Sequence, residues 1–278
     1  MEENNIFRQR MTDFFTEVEW LLHDKPVRSY NYYYDQIVCV GELLSTSIVS
    51  SFLLKEGVLN HWVDVRDIFA TDEQFRAANI DWGKTSVRFS ELILPLFSES
   101  NIILTQGFIG STDANESTTL GREGSDYSAA IFANLMEADA LTIWKDVEGV
   151  MNADPKAFPN AQYIRELGYD EVIEMAFYGA QVIHPKTIKP LQNKNIPLQV
   201  KCFLDPNLPG HTHTFKTYFQ FATYYCFKTK SGAHSFEVQG FFLCGRRRRS
   251  SIVQNTFLPS YPGQPASVRR RHFTSMCG

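Results

Sequence analysis

Residues 118–128, Thr118-Thr119-Leu120-Gly121-Arg122-Glu123-Gly124-Ser125-Asp126-Tyr127-Ser128, decide how this chain is read. Gly121 and Gly124, two glycines within four residues, let the backbone approach a ligand closely and take positive φ. Ser125 or Asp126 can cap the helix that follows, whose free N–H groups and dipole form an anion site. Arg122 adds a planar fork matched to a carboxylate or phosphate. Asp126 is an acceptor able to orient a lysine or to hold a magnesium–nucleotide assembly. A capped loop with a surface arginine has the same local composition, so the surroundings must decide.

Working outward, Ser125–Glu137 is expected as a helix and Asp139–Trp144 as a strand. Asn101–Leu104 is a strand entering the loop 105–112. Farther upstream, Ile6–Leu22 has helical spacing and ends at Asp24 and Pro26. Ile37–Val40 is expected as a buried strand closed by Gly41, Leu43–Leu54 as a helix, and His61–Val65 as another strand. Downstream, Tyr169–Phe177 and Thr187–Leu191 are helical, and Pro197–Phe203 is a last strand. Short apolar strands alternating with helices make an α/β fold with a mostly parallel sheet. Ligands in such sheets sit at the carboxyl ends of the strands. The polar loops 105–126 and 145–156 lie there.

The 278 residues have an ordinary soluble composition, 44% hydrophobic and 21% charged. No run of about 18 apolar residues exists, which argues against a transmembrane helix, and the N-terminus lacks a secretory apolar core. Five widely spaced cysteines without a CxxC pair fit reduced, cytoplasmic thiols. The net charge of −4 hides an asymmetry. Residues 1–210 carry 17 Lys and Arg against 30 acids; residues 211–278 carry 10 against one, Glu237. The second segment contains Arg246–Arg249 and Arg269–Arg271 and no sustained period. Without a folded frame to present those arginines, an unstructured extension is preferred over a nucleic-acid or membrane patch.

Thr118–Ala130 resembles the TTLGRGGSD(Y/T)SA element of aspartokinases, members of the amino-acid kinase superfamily. Further elements follow in family order over residues 10–210. Gly41-Glu42-Leu43-Leu44-Ser45-Thr46 resembles a GE-x-LS element, and Asp64-Val65-Arg66 with Thr71 a D-x-R…T segment. Thr105-Gln106-Gly107-Phe108-Ile109-Gly110 resembles a TQGFIG loop. Trp144–Met151 with Asp154-Pro155-Lys156 resembles a W-TDV-x-G-(I/V)-Y-x-x-DPR loop, and Phe177–Pro185 an (F/Y)GA-K-V-(L/I)HP turn. The kinase part of bifunctional aspartokinase/homoserine dehydrogenases is a near likeness, although no GxGxxG dehydrogenase fingerprint is present.

The resemblance implies a three-layer αβα sandwich that phosphorylates the side-chain carboxylate of L-aspartate with ATP and Mg2+, the entry to lysine, threonine and methionine synthesis. It implies that Glu42 lies near the aspartate amino group, and that Gly107 and Phe108 shape the substrate pocket. Arg122 and Ser125 take substrate carboxylate, and Asp126 organises phosphoryl transfer, with Arg122 and Asp126 the catalytic pair. Lys145, Asp146, Met151, Asp154, Lys156, Gln181 and Val182 are expected around the nucleotide. No protein metal site, nucleic acid or membrane partner is expected, and the family is usually homo-oligomeric.

The chain departs from the pattern in three ways. The opening strand and K-F-G-G-(T/S)-S loop are missing, so the sheet is expected to lack its first strand and to carry an unpaired edge. Gln181, Lys145, Met151 and Lys156 stand where the family has lysine, threonine, tyrosine and arginine. After Gly210 the likeness stops. The expected division is therefore a partial catalytic domain at 1–210 and a foreign basic tail at 211–278, disordered or read in a shifted frame. The alternative to an enzyme is an inactive fragment that at most binds nucleotide or aspartate. Gly83-Lys84-Thr85 imitates a P-loop end, but Ala78 stands where the earlier glycine is required, so 81–85 is read as a surface turn.

Overall fold

The computed structural model describes residues 2–23, 25–146, 150–154, 157–162, 164, 166–179 and 182–204, together with the backbone of three short strands at 214–215, 241–245 and 251–255. Helix α1 spans Glu2–His23 and α2 spans Tyr30–Lys55. Strand β1 is His61–Trp62, followed by a 3-10 turn at Val65–Asp67. Helix α3 is Trp82–Leu92 and strand β2 is Ile102–Gln106. Strands β3 (Ile109–Ser111) and β4 (Ser117–Thr119) form a small antiparallel ladder. Helix α4 (Gly124–Met136) leads into β5 (Ala140–Lys145). Then come β6 (Glu166–Leu167), α5 (Tyr169–Phe177), α6 (Pro185–Lys194) and β7 (Leu198–Cys202). The last strands are β8 (Thr214–Phe215), β9 (Phe241–Gly245) and β10 (Ser251–Asn255).

The expected strand at Ile37–Val40 is absent; those residues lie inside the single helix α2. Ser29 caps it, its hydroxyl accepting from the Tyr32 N–H. The buried positions Asp35, Cys39, Leu43, Thr46, Ser50 and Leu53 recur every three to four residues, which is a helical stripe. A four-residue apolar run reads alike as strand or buried helix, and Gly41 lies mid-helix with open space beside it. By length and composition alone α2 is apolar enough to cross a membrane. Its buried stripe instead packs against α1, β2 and β4, as the core helix of a folded body does.

The turn expected at 81–85 is the first turn of α3. Asp81 caps it through the Lys84 N–H, and the buried Thr85 hydroxyl accepts from the Ala70 N–H. The remaining elements agree with expectation to within a few residues, and α5 agrees residue for residue.

The main sheet runs β1-β2-β9-β10-β5-β7. β1 pairs parallel with β2, β10 with β5, and β5 with β7; the β2–β9 and β9–β10 pairings are antiparallel. The fold is α/β with a mostly parallel sheet. Two expectations need correction. Residues 241–245 and 251–255 are strands rather than structureless tail. They also lie between β2 and β5 and pair with both, so neither of those strands carries the unpaired edge expected from a missing first strand. Backbone N–H and C=O groups at an open sheet interior demand partners whatever the side chains are, so composition did not reveal this pairing.

One core cluster joins the elements. Phe132 of α4 stacks on Phe69, ring centroids 4.8 Å apart, and tilts against Phe89 of α3. Ala129, Ala130 and Ala133 are fully buried, which lets α4 sit close to the body. Asn134 ties α4 to α6 by donating to the Pro190 carbonyl at 2.8 Å.

Candidate functional site

The turn between β4 and α4 follows its sequence only in part: Gly121 takes positive φ as expected, but α4 begins at Gly124 with Glu123 as its N-cap, so neither Ser125 nor Asp126 caps it. Gly121 has φ +79°, and a Cβ there would lie 3.1 Å from the Arg76 carbonyl oxygen. Gly124 opens α4, and a Cβ there would come within 2.8 Å of the Phe108 Cβ. Between them Glu123 is left-handed at φ 55°, a conformation that costs a residue with a side chain about 1 kcal/mol.

The close approach at Gly124 serves a latch. The Phe108 N–H donates to the Ser128 hydroxyl at 2.8 Å, and that hydroxyl donates to the Gly124 carbonyl at 2.9 Å. The Leu120 N–H donates to the Phe108 carbonyl at 2.8 Å. Phe108 itself has φ 56°. The loop Gly107–Phe108 is therefore fastened on both sides to the start of α4. The Gly107 backbone also donates to the Glu42 carboxylate of α2. Burial pushes Glu42 up to about 7, with the Gly107 hydrogen bond pulling the other way. Phe108 thus meets the start of α4, whose first turn holds Asp126, and Glu42 approaches the same loop from α2 through Gly107.

Lys145, at the end of β5, reaches the same place. Its Nζ is 2.9 Å from Asp126 Oδ2 and 3.5 Å from Glu123 Oε2. Asp126 is 1% exposed, Lys145 11% and Glu123 29%. Burial pushes the Asp126 carboxyl above the ordinary carboxylate range, Lys145 opposes that shift, and Glu123 reinforces it. Burial alone would lower Lys145, but Asp126 and Glu123 outweigh it and hold the ammonium charged. Asp126 Oδ1 is buried and has no hydrogen-bond partner among the described residues. A buried acceptor left open in this way asks for a ligand, a cation or water.

The other expected residues are placed less tightly. Arg122 is exposed, with no hydrogen bond or ion pair among the described residues, and Ser125 is half-buried beside it. Asp146 and Asp154 are exposed, and Met151 and Val182 are half-buried. Val182 and Val150, the neighbour of Met151, line one small apolar gap with Val172, Met175 and Ile183, so those two segments are packed together. Lys156 and Gln181 lie outside the described residues.

Four residues of the neighbourhood escaped the sequence reading. Ser128 stands four residues after Gly124, the spacing of a helical back-bond. Glu123 stands between the two glycines and reaches Lys145. Lys186 donates to the Leu120 carbonyl at 3.2 Å and lies over the Tyr127 ring at 4.6 Å; burial lowers it, with Asp72 opposing. Asp35 is wholly buried and accepts from the Thr119 N–H, the Thr119 hydroxyl and the Arg76 N–H, which pins β4 to α2. Only a helical reading of 30–55 would have exposed its role. A cleft of about 610 Å³ is lined by Glu17, Arg66, Ser117 and others, but shares no residue with this site. Its charged residues, Asp13, Glu17 and Arg66, include the ion pair of Arg66 with Glu17 at 3.3 Å, and they lie apart from the motif residues gathered around Asp126 and Lys145.

The amino acid kinase family profile matches residues 3–202. Lysine-sensitive aspartokinase 3 of Escherichia coli K12 is 34% identical over 206 residues, 74% of this chain and 46% of that protein. The chloroplastic bifunctional aspartokinase/homoserine dehydrogenase 2 of Arabidopsis thaliana is 38% identical over 171 residues, 61% of this chain and 18% of that protein. Among solved structures, E. coli aspartokinase III in complex with aspartate and ADP aligns with a TM-score of 0.69 at 34% identity, covering 77% of this chain and 48% of that one. The same enzyme with lysine and aspartate aligns at 0.68 and 32%, covering 78% and 48%. The chain spans less than half the length of these relatives.

Proposed function

This chain belongs to the amino acid kinase family, and on that premise we propose that it transfers the γ-phosphoryl group of ATP to the side-chain carboxylate of L-aspartate, giving 4-phospho-L-aspartate and ADP. The observation that carries the reading is the 2.9 Å Asp126–Lys145 pair. It joins the start of α4 to the end of β5, beside the fastened Gly107–Phe108 loop. The likeness to an aspartokinase holding aspartate and ADP supports the choice of reactants.

The roles follow from chemistry. The aspartate carboxylate is already a nucleophile, so no general base is required. Catalysis is positioning together with neutralisation of charge on the transferring group. Lys145, held charged by Asp126, presents its remaining donors to a phosphoryl oxygen. Arg122, with its fork unspent on the protein, takes a substrate carboxylate, and Ser125 adds a hydroxyl. Glu42, once ionised, takes the substrate ammonium, and Gly107 and Phe108 wall the pocket. Asp146, Met151, Asp154, Lys156, Gln181 and Val182 surround the nucleotide. Mg2+ entering with the nucleotide would neutralise phosphate charge, and the open Oδ1 of Asp126 is the acceptor suited to hold its water shell.

The family-like catalytic part in this reading is residues 1–210, and 211–278 is a tail without family motifs that lends two strands to its sheet; the family match ending at residue 202 supports that division. The product enters lysine, threonine and methionine synthesis, and the setting is cytoplasmic. The test traps the acyl phosphate with hydroxylamine. The full chain should form aspartate hydroxamate only with ATP, Mg2+ and L-aspartate, and D126N should form at least about 100-fold less. Equal rates in D126N, or no preference for aspartate over glutamate, would refute the assignment.

A further inference from the structure

Lys145 is confronted by two carboxylates. Asp126 lies at 2.9 Å and Glu123 at 3.5 Å, and with both carboxylates ionised the cluster carries a net charge of one negative unit. A phosphate approaching it meets repulsion as it stands. The two carboxylates differ in freedom. Asp126 is 1% exposed and belongs to the first turn of α4. Glu123 is 29% exposed, precedes the helix, and has a route to solvent. It also holds a left-handed backbone, φ 55°. The aspartokinase element that this stretch resembles is written with glycine at this position, where this chain carries Glu123.

We propose that Glu123 is a built-in competitor for the nucleotide's phosphate: its carboxylate occupies the place beside Lys145 that a phosphoryl oxygen takes, and it turns out to solvent when nucleotide binds. The inference rests on the nucleotide reading above and deepens it. Glu123 keeps the buried ammonium paired while the site is free of nucleotide, and it sets how strongly phosphate is held. The exchange breaks one ion pair and forms another at the same ammonium, with no covalent step. Because Glu123 is at the rim, the competition weakens as salt rises.

The experiment is calorimetric titration of the full chain, E123Q, K145M and E123Q/K145M with MgADP, and separately with adenosine. E123Q preserves length and backbone and removes the charge. It should bind MgADP about 5-fold more tightly, the scale of one partly exposed ion pair. Adenosine should bind all four proteins alike, and E123Q should give no gain in the K145M background. MgADP binding that is equal in the unmodified chain and E123Q overturns the competitor while leaving the nucleotide reading intact. A gain that persists without Lys145, or that appears equally with adenosine, overturns it too. Failure of all four proteins to bind MgADP overturns the nucleotide reading and this inference together.

Discussion

At the scale of single residues, burial decides which charges are available for chemistry. Glu42 is raised to about 7 because its carboxylate is desolvated, and one backbone donor from Gly107 only partly compensates. If it receives the substrate ammonium, kcat/KM for aspartate should climb as the pH rises through about 7, and E42Q should lose that limb along with most of its affinity. The sign for stability is opposite. The folded chain binds this proton more tightly than the unfolded chain does. Its contribution is therefore present in acid and fades as the pH rises from the unfolded carboxylate value through about 7. A pH-rate profile and denaturant melts at several pH values check both. Lys145 gives a second test. K145M leaves Asp126 buried without its cation, so the chain should lose about 3–5 kcal/mol in denaturant unfolding, and kcat should fall with it. Full stability in K145M would show that the pair is not formed.

At the scale of elements, the Gly107–Phe108 loop and α4 behave as one piece. S128A removes both the acceptor for the Phe108 N–H and the donor to the Gly124 carbonyl. Leaving a buried N–H unmet costs about 1–3 kcal/mol. KM for aspartate should rise several-fold with kcat changed less, because the loop walls the pocket without touching the transferring group. Steady-state kinetics separates the two. G124A tests the same contact from the other side. Its Cβ would sit 2.8 Å from the Phe108 Cβ, so overpacking should cost about 1–3 kcal/mol and displace the loop. Asp35 plays the matching part for β4. D35A strands two backbone N–H groups and one hydroxyl, and unfolding should show a loss of about 3 kcal/mol.

At the scale of the whole molecule, the sheet is closed by residues distant in sequence. β9 and β10 sit between β2 and β5, with β10 parallel to β5 and in register from Ser251–Ala140 to Asn255–Trp144. If that pairing holds in solution, the amides of β2 and β5 should be protected from hydrogen exchange in the full chain. Ending the chain after Leu204 should expose them, lower the melting temperature and promote aggregation through the two bare strand edges. Unchanged protection would show that 241–255 does not complete the sheet.

The sequence alone determined the kind of protein this is. Motif order, the glycines at 121 and 124, helix α5 and the α/β alternation are all written in local residue chemistry, where spacing and positive φ leave few choices. It also named the Gly107–Phe108 loop and the turn before α4, which the structure fastens together. Only the tertiary structure decided that Ile37–Val40 is helical, that Glu123 and Asp126 share one lysine, that Ser128 latches Phe108, and that strands from beyond residue 240 enter the sheet. The physical reason is range. A short apolar run satisfies two local patterns equally, and the structure resolves it by what the run is packed against. An ion pair across 19 residues, or a strand pairing across more than 100, leaves no trace in periodicity, because the partner's contribution is made through space.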